Sequence, residues 1–306
     1  MADLLRHGLL RASFIPPAPI RELRELTRYR KTLVQERADE IHRLQKVWET
    51  ANVKLAAVAS NVLGKSGRAM LEALLAGTED AETLAELARG RLRAKLPELR
   101  QALEGRVGAH HRFLLRQVLA HIDFLEEALA TIQAEIAARL APEAAAVEQL
   151  QTIPGVGATA AAVIVAEIGT DMSRFASAKH LASWAGLCPG NRQSGGRRLS
   201  GKPTKGDVWL RGVLGEVAWA IAHTKDNYLS ARYHRWARRL GKNKAIVALA
   251  HTVLVIIYHM LREGREYRDL GADYVDQQDK ERIERHHIRR LEQLGYTVTL
   301  APAQAA

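Results

Sequence analysis

The sequence predicts an all-α protein with long antiparallel coiled-coil-like helices and a C-terminal helical domain that contains a helix-hairpin-helix. Of the 306 residues, 47% are hydrophobic but only 5% aromatic, and the prominent alanines and leucines are strong helix formers. Apolar residues recur every three or four positions along two long stretches, which is the period of a helix. The tight bend TIPGVG separates two further helical stretches.

The N-terminal half is predicted to consist of long helices. Residues 1–12 have helical spacing, and the prolines of SFIPPAPI end that helix. An amphipathic helix begins at Ile20, and its later part carries apolar residues at coiled-coil spacing: Ile41, Leu44, Trp48, Ala51 and Leu55. A second helix covers residues 110–140, with an apolar stripe of Val118, Ile122, Leu125, Leu129, Ile132 and Ile136. These helices predict an antiparallel hairpin or a dimer zipper, with two ordinary bundle helices as the alternative.

Shorter helices are predicted between the two long ones, at residues 66–76, 80–89 and 96–103. After Pro142 the composition shifts toward glycine, serine and basic residues, which predicts a domain boundary near residue 145. A final apolar helix follows at residues 244–261. The predicted domains are an N-terminal remnant with its linker (1–19), a coiled-coil helical domain (20–145), a helix-hairpin-helix domain (146–276) and a charged C-terminal helix with its tail (277–306).

Charge and cysteine content narrow the class of protein. Lysine and arginine number 45 against 34 aspartates and glutamates, a net charge of +11 that favours a polyanionic partner such as DNA. The single cysteine, Cys188, excludes an intrachain disulfide and a multi-cysteine zinc site, and its apolar surroundings predict a packed residue. The N-terminus has no apolar signal core, and the run 245–257 is shorter than the roughly 20 residues that span a membrane. We therefore expect a soluble, cytoplasmic protein with no membrane partner.

The bend around Gly155, Val156 and Gly157 is the first candidate binding site. Glycine allows backbone angles that other residues avoid and lets a phosphate oxygen approach the chain closely. The N–H groups of both glycines would then point outward at the positive end of the following helix, residues 158–168, which is an anion site. Such contacts hold a nucleic-acid backbone without reading bases. The alternative is a helix–helix turn that only packs.

A basic segment follows, and its glycines and proline predict a loop without regular secondary structure. Its cations would bind phosphate through charge-assisted hydrogen bonds; they are Arg192, Arg197, Arg198, Lys202 and Lys205, with Arg211 in the next helix able to turn back toward them. Asp207 is the predicted N-cap of that helix. Ser194 and Ser200 are candidate nucleophiles, because cations can spread the charge that develops during attack on phosphorus. The alternative is that both serines are hydrogen-bonding turn residues.

Several further side chains have a structural and a functional interpretation. Core packing is the favoured interpretation for Trp184, Trp209 and Trp219. Trp236 lies among arginines in RYHRWARRL, so packing and base stacking are equally open. A satisfied core histidine is favoured over a base for His251, and solvated carboxylates over accessory catalytic groups for Glu167 and Asp171.

The order of these features resembles the IS110-type insertion-sequence transposases, which are bridge-RNA-guided recombinases. The resemblance covers essentially the whole chain, and its most specific parts are TIPGVG, FASAKHLASWAGLCPGNRQSGGRR, KGDVWLRGVL and KAIVALAHTVLVIIYHML. It implies cleavage and rejoining of DNA, with a guide RNA as a partner. It also implies a serine nucleophile, which we assign to Ser194, with Ser200 in reserve.

Complete members of this family add an N-terminal resolvase-like nuclease domain whose four acidic residues bind magnesium. The opening MADLLRHGLL resembles the stretch just after the last two of them, and Asp3 matches none of the four. The resemblance therefore implies that this chain lacks most of that domain and binds no metal or other cofactor alone. We expect a chain that binds DNA, assembles into a homo-oligomer through its coiled-coil helices and is incomplete as an enzyme. The alternatives are a non-catalytic DNA-bridging protein and an RNA-binding scaffold.

Overall fold

The computed structural model describes residues 14–190, 192–202, 204–274 and 280–299, together with Asp3, Gln277 and residues 6–8. Helices dominate these residues, and one two-stranded sheet is found among them. The predicted all-α class is confirmed. The chain divides into two compact units, one formed by residues 25–139 and the other by residues 1–24 together with 140–306.

The unit of residues 25–139 contains two long helices and the short elements between them. Asp80 begins one short helix as its N-cap, since its carboxylate accepts a hydrogen bond from the Thr83 amide at 2.8 Å. The elements, of which the first begins before this unit, are α1 (Ala18–Thr50), α2 (Leu55–Val58), α3 (Lys65–Ala76), α4 (Ala81–Glu86), a 3-10 turn (Gly90–Lys95), α5 (Leu96–Leu103) and α6 (Ala109–Leu140).

Helices α1 and α6 run antiparallel. Arg30 donates from Nε to Gln133 Oε1 at 2.7 Å, and about two helical turns further along α1 the ion pair Arg37–Glu126 joins the same two helices. Residue numbers rise along α1 as they fall along α6, which is the antiparallel arrangement. The predicted seam residues Leu44, Trp48, Ala51, Ile122, Leu125 and Ile136 are all buried. Leu55 lies beyond the end of α1, in α2, because α1 ends at Thr50.

The second unit packs its helices around one apolar helix, α12 (Lys242–Glu263). This helix is long and apolar enough to cross a membrane, but here it contacts several other helices, and its buried stripe of Leu249, Val253, Leu254 and Ile257 forms the core of the unit. The other elements are 3-10 turns at Ala141–Glu143 and Met172–Arg174, α7 (Ala144–Gln151), α8 (Ala158–Ile168), α9 (Ala178–Trp184), β1 (Arg192–Ser194), β2 (Arg197–Ser200), α10 (Val208–Ala222), α11 (Tyr228–Leu240) and α13 (Lys280–Gln293).

An ion pair fixes the start of α1 to the end of α8. Arg24 Nε lies 2.9 Å from Glu167 Oε2, and the same guanidinium donates to the carbonyl oxygens of Ala166 and Glu167. Glu167 is fully buried, so the prediction of a solvated carboxylate is wrong. Burial is tolerated because a guanidinium balances the charge and also satisfies carbonyl groups at the C-terminal end of α8. Asp171, in contrast, is exposed as predicted and caps the following 3-10 turn.

The tryptophans differ from one another. Trp184 packs against Phe175 and Phe14, with ring centroids 5.8 and 5.6 Å away, as predicted. Trp219 was predicted to pack in the core, yet 52% of it is exposed. Helix α10 buries the stripe that contains Val217 and Ile221, and Trp219 lies on the other side of the helix. The prediction failed because apolar residues lie on more than one face of this helix, so their spacing does not identify the buried face.

Candidate nucleic-acid interface

The bend between α7 and α8 contains two glycines with different structural roles. Gly155 has φ +81°, and a Cβ there would lie 2.9 Å from Ile221 Cγ1 and 3.2 Å from the Val217 carbonyl oxygen. Glycine is therefore required at this position by backbone angle and by packing on α10. Gly157 has φ −90°, and its Cβ would meet nothing within 4 Å. Packing explains the first glycine but not the second.

The exposed end of α8 is chemically suited to an anion. Gly157 is the N-cap residue and makes no side-chain capping bond, and Gly157, Ala158 and Thr159 are all exposed. The first N–H groups of a helix have no partner within the helix, and the helix dipole makes this end positive. Val156 is buried beside them and anchors the bend. The predicted helix-hairpin-helix stays a prediction, since two packed helices and a bend do not by themselves define a nucleic-acid contact.

The basic segment begins and ends in a narrow backbone stem. Gly186 and Gly206 lie against each other so closely that a Cβ on Gly206 would be 2.3 Å from the Gly186 nitrogen. Further into the segment, the Gly190 amide donates a hydrogen bond to the Lys202 carbonyl oxygen at 2.9 Å. Only residues without a side chain allow two backbone segments to come this close. The stem therefore brings together the two ends of the basic segment, of which the structure describes residues 187–190, 192–202, 204 and 205.

The basic segment contains a β-hairpin at residues 192–200, so the prediction of a loop without regular structure is wrong. Strand β1 pairs antiparallel with β2, and Gly195 and Gly196 connect them with φ of +55° and +74°. Two consecutive residues with positive φ form the tight turn that suits the twist of a two-stranded hairpin. The glycines that were interpreted as loop residues are the residues this turn requires.

Ser194 and Arg197 face each other across this hairpin. They are direct partners in the register, and both are exposed. Directly opposite residues of an antiparallel pair point to the same face, with Cβ atoms about 4.5–5.5 Å apart. The hairpin thus places a hydroxyl beside a guanidinium at its tip. Ser200 pairs with Arg192 in the same register, but the side chains of Arg192, Arg198 and Ser200 lie outside the residues whose side chains the structure describes.

Helix α10 connects the basic hairpin to the glycine bend. Asp207 caps the helix as predicted, accepting from the amides of Trp209 and Leu210 at 2.9 Å each. Lys202 and Lys205 precede this cap and are exposed, and Arg211 is half-buried in the first turn. The bend packs near Val217, ten residues further, so the stem and the bend are ~15 Å apart along the helix at 1.5 Å per residue. The two predicted binding elements lie toward different ends of α10.

Ser194 has no hydrogen-bonded general base among the residues that the structure describes. No hydrogen bond joins its hydroxyl to a described imidazole or carboxylate, and no three described His, Cys, Asp or Glu residues are placed to hold a metal ion. Cys188 stands at the base of the same segment, and burial raises the pKa of its thiol. A raised pKa keeps the thiol protonated and unreactive at neutral pH, which agrees with its prediction as a packed residue.

Sequence reasoning missed a groove between α11 and α12. It encloses a volume of about 1000 Å³, and its walls include Trp236, His251 and Lys244. His251 is half-buried at this wall, not enclosed in the core, so the prediction of a satisfied core histidine is wrong. The apolar spacing of α12 does not distinguish the two positions, because residues that face a groove and residues that face the core recur with the same helical period. The basic and aromatic sequence RYHRWARRL is the signal that marks this place.

Comparison with known proteins identifies the class of these elements. Residues 147–234, which include the bend, the stem and the basic hairpin, match the family described as Transposase IS116/IS110/IS902. Residues 1–52 match a second family model, DEDD_Tnp_IS110, described as Transposase. Two separate segments of the chain are therefore similar to transposase domains of the IS110/IS116 insertion-sequence type.

Individual relatives agree with this assignment over part of their length. A transposase for insertion sequence element IS1111A of Coxiella burnetii is 33% identical over 40% of this chain and 34% of the relative. The pilin gene-inverting protein of Moraxella bovis is 34% identical over 39% of this chain and 37% of its own length. A transposase for IS1328 of Yersinia enterocolitica is 28% identical over 49% of this chain and 46% of its own. The matched regions thus span between a third and a half of these relatives.

Proposed function

We propose that this chain binds DNA through the bend and the basic hairpin and takes part in strand cleavage and rejoining, with Ser194 as the nucleophile. Its similarity to transposase domains supports this proposal, as does a relative named for inverting a pilin gene. The observation that carries the proposal is the tip of the hairpin, where Ser194 is exposed directly opposite Arg197.

Duplex DNA would contact two positive regions of the domain. The N–H groups at Gly157 bind one backbone phosphate, and the basic hairpin binds another part of the backbone, ~15 Å or more away along α10. None of these contacts reads a base edge, so the affinity depends on salt more than on sequence. Within a homo-oligomer, a second copy would present the same pair of regions to a second duplex.

Strand cleavage by Ser194 is a phosphoryl transfer. Its Oγ attacks a backbone phosphorus, an O–P bond forms to serine, and the bond from phosphorus to one deoxyribose oxygen breaks. The serine proton ends on the released deoxyribose oxygen. The Arg197 guanidinium stabilises the negative charge that builds on the phosphate oxygens during attack. Among the described residues, no group of His, Cys, Asp or Glu is placed to hold the magnesium that the family resemblance implies. A guide RNA is a further proposed partner.

Substitutions at Gly157 test DNA binding without disturbing the fold. An aspartate or asparagine there becomes a favourable N-cap for α8, and the open space accommodates either side chain. Asp and Asn differ only in charge, so Gly157→Asn is the matched control. We expect Gly157→Asp to weaken duplex binding by about tenfold relative to Gly157→Asn, from repulsion of a nearby phosphate. Fluorescence anisotropy with a labelled duplex at several salt concentrations measures it.

If the two variants bound duplex DNA with equal affinity, the bend would not be part of the DNA-binding surface. A loss of RNA retention without a loss of DNA retention would favour the RNA-binding scaffold instead.

Substitution of Ser194 separates the enzyme from a DNA-bridging protein. Because the chain is expected to be incomplete as an enzyme, it is assayed together with a separately supplied N-terminal nuclease domain of the family, magnesium, duplex DNA and a guide RNA, and covalent protein–DNA adducts are detected after denaturation. We expect Ser194→Ala to abolish adducts and leave duplex affinity unchanged, whereas Ser200→Ala keeps both. Adducts that persist in Ser194→Ala and vanish in Ser200→Ala would reassign the nucleophile to Ser200. Duplex bridging that depends on neither serine supports the non-catalytic alternative.

A further inference from the structure

We propose that the groove between α11 and α12 binds an unpaired nucleotide of single-stranded DNA, with its base against Trp236 and its phosphates near Lys202 and Lys244. This inference extends the proposed DNA function to a second site in the same unit. Neither the glycine bend nor the nucleophilic serine forms part of the groove.

The groove has the size and surface of a site for a planar apolar group. Its volume of about 1000 Å³ lies at the upper end of the ~300–1,000 Å³ typical of small-ligand sites. Leu240 and Val247 line it, and each is more than a third exposed, at 38% and 37%. Apolar side chains that remain open in a concave site favour a ligand that covers them. A nucleobase supplies a flat face of that kind.

Trp236 is held in place for stacking. The Arg232 guanidinium carbon lies 4.6 Å from the centre of the Trp236 ring and 5.6 Å from that of Tyr228. Arg232 also donates a hydrogen bond to the Tyr228 hydroxyl, so three side chains one turn apart on α11 fix each other. An aromatic ring fixed in this way loses little freedom when a base stacks on it, and arginine adds a cation–π contribution.

His251 offers hydrogen bonds to the edge of a base. It lines the groove about two and a half turns after the start of α12, beside Thr252. No hydrogen bond joins its side chain to another described residue. Burial lowers the pKa of His251, so its imidazole is neutral at pH 7. A neutral imidazole has one N–H donor and one acceptor nitrogen, which suits the alternating donors and acceptors of a base edge.

The charges around the groove complement a nucleic-acid strand. The charged side chains that the structure describes on its walls are Lys202, Arg232 and Lys244, all cationic. An adjoining cavity of about 580 Å³ shares Arg232 and His251 and is lined by Glu263 and Glu266 as well as by Arg265 and Arg268. Among the described residues, the groove itself therefore offers a strand cationic side chains alone, whereas the adjoining cavity carries both signs of charge. Bases in a duplex have both faces covered, so the occupant is an unpaired nucleotide.

The test compares a short labelled oligothymidylate with an abasic oligomer of the same length and charge, both single-stranded, on the full chain. We expect the wild-type chain to bind oligothymidylate about tenfold more tightly, the effect of one base stacked on an aromatic side chain. Trp236→Ala should erase that preference and Trp236→Phe should keep part of it. Trp219→Ala is the matched control, because Trp219 is an exposed tryptophan outside the groove, and it should keep the full preference.

Equal binding of the two oligomers by the wild-type chain would overturn the inference, as would an equal loss in Trp236→Ala and Trp219→Ala. A single-stranded RNA oligomer of the same length serves as a third probe. If the chain bound it more tightly than oligothymidylate, the assignment to DNA would be wrong. Duplex binding by the same preparation tests the proposed function separately. If the chain binds duplex DNA but does not prefer oligothymidylate over the abasic oligomer, only the groove site is disproved. If it prefers oligothymidylate but does not bind duplex DNA, only the proposed function is disproved.

Discussion

Arg24 is predicted to be one of the most important single residues for the stability of the unit formed by residues 1–24 and 140–306. Its guanidinium lies 2.9 Å from the Glu167 carboxylate, which is fully buried, and also binds two carbonyl groups at the end of α8. Arg24→Ala removes all of these contacts, including the guanidinium that lies 2.9 Å from the buried carboxylate. The expected loss is about 3–5 kcal/mol in the free energy of unfolding, as for other broken buried pairs. That is a large part of a typical domain stability of about 5–15 kcal/mol.

Urea unfolding followed by tryptophan fluorescence measures this loss. Four of the five tryptophans lie in the same unit as Arg24, so the signal reports mainly on that unit. The control is Arg37→Ala, which breaks the exposed ion pair with Glu126 and should cost no more than about 1 kcal/mol. Replacing both Arg24 and Glu167 by methionine should recover most of the stability, because it removes the buried charge together with its partner.

A loss below about 1 kcal/mol for Arg24→Ala would refute this reasoning, because it would place the ion pair among surface pairs. A double methionine variant that is less stable than Arg24→Ala alone would contradict the explanation by uncompensated charge.

Two further predictions follow from the same unit. Gly155→Ala should lower the free energy of unfolding by about 1–3 kcal/mol, because its φ of +81° and the 2.9 Å approach to Ile221 both oppose a side chain. Gly157→Ala should change the melting temperature little. Equal effects of the two substitutions would contradict the distinction between the two glycines. For His251, burial lowers the folded-state pKa, so the unfolded chain binds a proton more readily. Stability should therefore fall as pH drops below the unfolded value of about 6.5 toward the folded value. Unfolding curves at several pH values check this, and a pH dependence that is unchanged in His251→Gln would assign it to another group.

Local patterns in the sequence predicted much of the helical architecture. Apolar spacing located the two long helices and the apolar stripe of α6, in which Ile122, Leu125 and Ile136 are buried and Leu129 and Ile132 are partly buried. Asp207 was identified as an N-cap because its side chain acts on amides two and three residues away. These features depend on interactions within a few residues of the chain, so their signal is contained in the local sequence.

The errors arise where distant segments meet. Glu167 is separated from Arg24 by well over a hundred positions, so nothing near it indicates a buried partner. The hairpin at residues 192–200 was interpreted as a loop because its glycines serve a turn whose strands are only three and four residues long. His251 and Trp219 lie on helices that are apolar on more than one face, and their exposure depends on which neighbours pack there.

The sequence by itself determined the all-α class, the antiparallel helix pair as one of its open alternatives, and the family of the basic segment, because helical period, caps and motif order are local properties. Only the tertiary structure decided that Gly155 is required by packing while Gly157 is open, that Ser194 faces Arg197, and that α11 and α12 leave a cationic groove between them. The physical reason is that burial, strand register and cavities belong to pairs of segments, and the position of a partner segment is not encoded in the residues beside it.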